Sequence, residues 1–208
     1  MFSAYYPTGV PVEKNLISYQ ILSIDPGLVN LGFRLERRTI ILLKESPPLY
    51  KVVISPMIFD RINVKCNNFT DTLVVVNNYF NSIWNILSNT DIIIIEHQIS
   101  KLNPKSTRIF QHILTYFLTS MAQANKNSVI YEIENQIVRS FFGIPRGMKK
   151  KGKEIVKQNA FKILELGGDT ESISKVFSSE FDRTDAVGQI EVVLSKEKYS
   201  VAILTDGH

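Results

Sequence analysis

The chain has 208 residues, 44% of them hydrophobic and 21% charged, enough apolar content to fill a core and to exclude disorder along its whole length. The longest apolar runs, such as the four isoleucines 92–95, fall far short of the roughly 18 residues a membrane span needs, so a single soluble domain without membrane attachment is predicted. Lys and Arg exceed Asp and Glu by 24 to 20, and the resulting +4 charge permits a polyanionic partner without demanding one.

Residues 1–18, with Pro7, Gly9 and Pro11, read as an N-terminal arm. They show neither the basic start nor the continuous apolar stretch of a secretory signal. Residues 19–24 form a β-rich run that stops at Asp25-Pro26-Gly27, a turn signal. Residues 28–35 and 38–43 read as two further strands of an antiparallel meander. Ser46-Pro47-Pro48 breaks the chain, and residues 50–54 read as an edge strand or a loop excursion; no role is assigned to 46–55. Cys66 is the single cysteine, which excludes an internal disulfide and a cysteine-cluster zinc site and favours a reducing intracellular compartment.

A helix is predicted over 69–87, where Leu73, Val76, Phe80, Ile83, Trp84 and Leu87 recur at three- and four-residue steps, with Thr70 or Asp71 as its cap. The isoleucines between Asp91 and Glu96 are apolar on both faces, as in a central, doubly covered strand. Then follow a helix over 107–124, a strand over 128–133, a short helix over 135–142 and a helix over 153–166. A last helix over 181–194 precedes a strand-like tail. A meander followed by alternating helices and strands describes an α/β fold, a mixed sheet with helices on both faces.

Four acids stand where a core-forming pattern would not put them. Asp25 follows the first strand directly, and Glu96 ends the isoleucine strand. Asp182 and Asp185 lie three residues apart in the first turn of the last helix, so both project from one face. Singly, each has a plainer use: Asp25 as a turn residue, and the helix pair as acids that satisfy the macrodipole. Glu96 is harder to explain this way, because an ionised acid ending a buried run costs desolvation unless it is paired or ligated. If the two strands are neighbours and the last helix crosses their ends, the four acids converge and repel one another unless cations hold them. Hard divalent ions with oxygen ligands, Mg²⁺ or Mn²⁺, are the usual solution. Two such ions about 4 Å apart suit phosphodiester hydrolysis.

Positive charge concentrates at Lys149, Lys150, Lys151 and Lys153, with Gly152 among them. A solvated basic loop is the plain reading, and phosphate contact the functional one. Lys101, Lys105 and Arg108 follow Glu96 and extend that surface, as does Arg139 unless it forms a surface salt bridge. His97 and His112 are proton carriers only in principle, a hydrogen-bonded structural role being their alternative. Phe141 and Phe142 either wedge into a nucleic acid or simply pack.

Four segments, in order, resemble one family. ILSIDPGLVNLGF (21–33) is similar to the first strand, turn and second strand of RuvC-like Holliday junction resolvases, within the RNase H-like superfamily. Its form is most similar to the poxvirus and large-DNA-virus branch, with fungal mitochondrial resolvases close behind. DIIIIEHQ (91–98) resembles the fourth strand with its catalytic glutamate. MKKKGKEIVKQNAF (148–161) resembles the basic segment that carries the active-site lysine, and FDRTDAVGQI (181–190) the closing helix with two metal-binding aspartates.

The resemblance implies an RNase H-like mixed five-stranded sheet over residues 19–208, a homodimer, and Mg²⁺-dependent paired nicks in a four-way DNA junction. It makes Asp25, Glu96, Asp182 and Asp185 the ligands of two ions per site. Lys153 is the first choice for the catalytic lysine and Lys150 the second. No small-molecule cofactor is implied. The cytoplasm of a virus-infected cell is the implied location, with the mitochondrial matrix as alternative. The competing readings are another RNase H-fold nuclease, acting on RNA–DNA hybrids or branched DNA, and a non-catalytic junction binder.

Overall fold

In the computed structural model, which describes residues 16–45, 48–98, 104–145, 147–178 and 182–196, the first apolar run extends as strand β1 (Leu16–Pro26). It begins at Leu16 rather than Tyr19, because Leu16, Ile17 and Ser18 already pair with Ile41, Ile40 and Thr39 of strand β2 (Asn30–Glu45). The rest of the expected arm, 1–15, lies outside the described residues.

Where two strands were predicted after the turn, β2 is one. The polar interruptions Arg34, Glu36 and Arg38 alternate with Phe33 and Leu35, so they share one face of the sheet. All three are fully buried there. Glu36 bridges both arginines at 2.5 Å, Arg34 reaches Asp169 at 2.7 Å, and Arg38 reaches Glu191 at 2.5 Å. Strand β3 (Pro48–Asn63) is also longer than expected and forms the sheet edge. Its register slips opposite Leu35 and Glu36, where Pro56 faces Glu36. A proline has no N–H for the ladder and is tolerated at such an edge bulge.

Strand β4 (Ile92–His97) lies between β1 and strand β5 (Val129–Glu134), parallel to both, and the sheet order is β3-β2-β1-β4-β5. Its isoleucines are buried from both sides, as the unbroken apolar run requires. The result is the α/β mixed five-stranded sheet expected, with helices on both faces.

One face carries helices α1 (Phe69–Ser82), α2 (Trp84–Leu87) and α3 (Pro104–Gln123). The predicted 69–87 helix breaks at Ile83, and its cap is Asn68, whose side chain accepts the Asp71 N–H at 2.8 Å. Phe80, Ile113 and Phe117 pack here against Leu22, Ile24, Phe33, Ile93 and Ile95. Burial of each such side chain stabilises the fold by about 1.5–3 kcal/mol.

The other face carries α4 (Asn135–Phe141), α5 (Lys149–Leu166), α6 (Thr170–Ser178) and α7 (Asp182–Lys196). Ile21, Ile92, Ile94, Val138 and Ile190 form one cluster on this side. Phe141 and Phe142 stack edge-on at 5.1 Å and pack against it, so the aromatic pair belongs to the core. Helix α5 begins at Lys149 rather than Lys153, which puts the basic segment in its first turns and not in a loop. Helix α6 was not anticipated. Gly168, at φ +79°, follows the end of α5, and Asp169 accepts the Ser172 N–H at 3.0 Å to start the next helix. The strand-like tail, 197–208, lies outside the described residues.

Candidate active site

Strand pairing determines where the acids fall. In the parallel β1–β4 ladder Ile24 stands opposite Ile95, so the next step sets Asp25 beside Glu96. Ile21 and Ser23 share the Asp25 face of β1, and Ile92 and Ile94 share the Glu96 face of β4. Both faces lie under α7, whose first turn carries Asp182 and Asp185.

Glu96 is only 8% exposed, and three amides from three elements hold its carboxylate. Gln98 donates to Oε1 at 3.2 Å, while Asn135, at the head of α4, and Gln189, in the middle of α7, donate to Oε2 at 3.3 and 3.2 Å. The Gln189 amide is itself oriented by Ser23, which donates to its Oε1 at 2.7 Å. Burial, and next the negative charge of Asp185, push the Glu96 carboxyl up to about 7, and the three amide hydrogen bonds only partly oppose this.

Beside this pair lies a cleft of about 210 Å³ lined by Asn135, Arg139, Gly152, Lys153, Val156 and Asp185. Arg139 donates to the Met148 carbonyl at 2.7 Å, which ties α4 to the start of α5. Gly152 permits that approach, since a Cβ in its place would overlap the guanidinium. The plain alternative of a surface salt bridge for Arg139 is thus replaced by a bond to backbone, with the side chain on the cleft wall.

Of the predicted ligands, Asp25, Glu96 and Asp185 gather on one face, Asp25 and Asp185 being half-buried. Asp182 opens α7, and its side chain lies outside the described ones. Among the described residues no three of His, Cys, Asp and Glu form a group able to hold an ion. The donor chemistry nevertheless fits hard cations: every candidate ligand is a carboxylate, and a cation would offset the burial and the Asp185 charge that raise the Glu96 carboxyl.

The basic residues separate. Lys153 is exposed on the cleft wall across from Asp185, and Lys151 is exposed nearby on α5. Lys149 and Lys150 lie in the first turn of α5, with side chains outside the described ones, and Lys101 lies outside the described residues altogether. Lys105 and Arg108 sit on α3, on the opposite face of the sheet from α7, where Arg108 stacks 4.5 Å over the Phe69 ring. Both candidate histidines have structural contacts: His97 packs on Phe110 at 5.1 Å, and His112 bonds Asn77 at 2.9 Å. Sequence reasoning missed Ser23, Asn135 and Gln189. Ser23 and Gln189 were detectable as single polar residues inside apolar runs, and Gln189 lies one turn beyond Asp185 on the same helix face.

Neither a protein-family model nor the sequence of a curated protein matches the chain. Solved structures do. RuvC of Thermus thermophilus superposes with a TM-score of 0.52 at 11% identity, over 86% of this chain and 97% of that one. The fowlpox virus resolvase, solved with its substrate Holliday junction DNA, gives 0.53 at 16%, over 86% and 97%. The yeast mitochondrial Holliday junction resolvase gives 0.52 at 14%, over 89% and 82%. The chain therefore has the fold of the RuvC-like Holliday junction resolvases.

Proposed function

We propose that the protein is a divalent-cation-dependent, structure-selective endodeoxyribonuclease that resolves four-way DNA junctions by paired, symmetric nicks, acting as a homodimer. The observation that carries this reading is the Glu96–Asp185 pair, on the face that also bears Asp25, opening on a cleft walled by Lys153 and Arg139. A buried carboxylate beside a second, half-buried one is costly to ionise, and a cleft with basic walls is the complementary feature.

Asp25, Glu96, Asp182 and Asp185 would hold the cations, Mg²⁺ or Mn²⁺. Two bound ions supply Lewis acidity on both sides of the scissile phosphodiester. The chain's own contribution is to orient and neutralise. Lys153, or Lys150 from the same helix end, offsets charge developing on the phosphate. Arg139 keeps the α4–α5 wall in place through the Met148 carbonyl. Lys149 and Lys151, from the basic helix end, would contact the duplex arms, as would Lys101, Lys105 and Arg108, the last two only for DNA that reaches the α3 face of the sheet. Such phosphate contacts position the duplex without reading its sequence, so selectivity would rest on junction shape and deformability.

Incubation with a synthetic immobile four-way junction in Mg²⁺ tests the reading. Wild type should nick two opposed strands symmetrically, and Asp25→Asn should bind without nicking. Equal nicking by both removes Asp25 from the mechanism, and preferential cleavage of an RNA–DNA hybrid would transfer the activity to another substrate class. The location follows the fold's viral and mitochondrial counterparts only as part of this proposal. Among the described residues no helix is long and apolar enough to cross a membrane.

A further inference from the structure

The polar side chains buried beneath the acids form a chain that no reactive role requires. Ser23, on β1, lies two residues before Asp25 on the same face; Gln189, on α7, lies one turn after Asp185; and Glu96 ends β4. Ser23 donates to Gln189 Oε1 at 2.7 Å and Gln189 Nε2 donates to Glu96 Oε2 at 3.2 Å, so the chain joins the three elements that bear the acids. Ser23 and Gln189 are both fully buried, so water cannot substitute for either bond. Gln189 sits among Ala186, Val187 and Ile190, where an apolar side chain would pack without the cost of burying an amide.

Donor and acceptor logic fixes the direction of the chain. Gln189 turns its Nε2 to Glu96 and its Oε1 to Ser23, whose hydroxyl donates, and a cation that ionises Glu96 keeps this order, since a carboxylate only accepts. Each carboxylate oxygen has two in-plane lone pairs. Oε2 uses both, on Asn135 and Gln189. Among the described residues Oε1 accepts from Gln98 alone, which leaves it one lone pair.

We infer that Ser23 and Gln189 are positioning residues: they cross-tie the three acid-bearing elements and hold Glu96 through Oε2, so that its carboxylate is oriented to receive a divalent cation. This rests on the proposed function and deepens it. Neither residue touches the cation or the DNA.

The test uses the full chain as Ser23→Ala, Gln189→Leu and the double variant, with Mn²⁺ affinity measured by titration calorimetry. Melting temperature and junction affinity without metal are measured in parallel. Each single variant should lose about tenfold or more in Mn²⁺ affinity, the usual effect of removing a partner that orients a ligand. The double variant should lose no more than the weaker single one, because both changes break the same tie. Metal-free junction affinity should stay within about twofold of wild type, and kcat should fall while KM for the junction holds. Mn²⁺ affinity within about twofold of wild type in both single variants overturns the inference, as do losses that multiply in the double variant. If Gln189→Leu does not fold, Ser23→Ala decides alone, since it removes one oxygen. A wild type that neither binds Mn²⁺ nor nicks a junction overturns the proposed function and this inference with it. An active wild type with unaltered variants overturns only the inference.

Discussion

Glu96 carries its charge against both burial and the neighbouring Asp185 charge. Unfolded, its carboxyl titrates near 4.5; folded, burial and the Asp185 charge hold it at about 7. The folded state therefore prefers the protonated form. The stability this provides is complete below pH 4.5 and is lost as pH rises through 7, on the order of 3 kcal/mol in the cation-free protein. Glu96→Gln removes the charge and keeps the shape, so without cations it should raise the melting temperature at pH 8 by several degrees and change it little at pH 4. Mg²⁺ should reverse that order at pH 8, since a bound cation stabilises only the chain that retains the carboxylate. Thermal unfolding at the two pH values, with and without Mg²⁺, measures both effects. A difference independent of pH would show that the strain lies elsewhere.

Elements are held by a second group of buried charges. Arg34 and Arg38 of β2 reach α6 through Asp169 and α7 through Glu191, with Glu36 between them. Both arginines hold Glu36 well below the usual carboxylate range despite burial, so the group stays ionised. Arg38→Met strips Glu191 and Glu36 of a cation in a dry site and should cost about 3–5 kcal/mol in urea denaturation. Replacing all three by apolar residues of similar volume should recover much of that loss, because the desolvation of the partners disappears as well. These charges also explain what the sequence concealed. Periodicity found α1, α3 and the isoleucine strand, because apolar spacing is local. The break read into β2 arose because charge in a pattern is taken as exposure, whereas the partners of Arg34 and Arg38 stand 135 and 153 positions away. The placing of Asp25, Glu96 and Asp185 on one face was legible from their positions at strand and helix ends. The tie that orients Glu96 was not, since Ser23 and Gln189 meet across 166 positions: each stands out as a polar residue in an apolar run, but nothing in the sequence pairs them. Helix α6 was missed for a smaller reason: its nine residues follow a Gly-Gly-Asp stop-and-start signal, and no element was assigned to them.

At the scale of the whole molecule, the proposed function asks how one cleft per chain would cut two strands. A four-way junction has near-twofold symmetry, and two opposed nicks need two clefts facing opposed phosphates. Two copies of the chain related by a twofold axis would supply them. Nicking of both strands then depends on both copies being competent within the lifetime of one complex. A supercoiled plasmid with an extruded cruciform separates the outcomes: two nicks in one encounter give linear DNA, and one nick gives an open circle that loses the cruciform. Wild type alone should give mainly linear product. Mixed with about a tenfold excess of Asp25→Asn, the wild-type chains would reside in mixed dimers with one working cleft, as mass action requires. The product should then shift to open circles. A chain that works as a monomer would only be slowed by competition for the junction, with the ratio of linear to open product unchanged, and that result would remove the homodimer from the proposal while leaving the cleft chemistry intact.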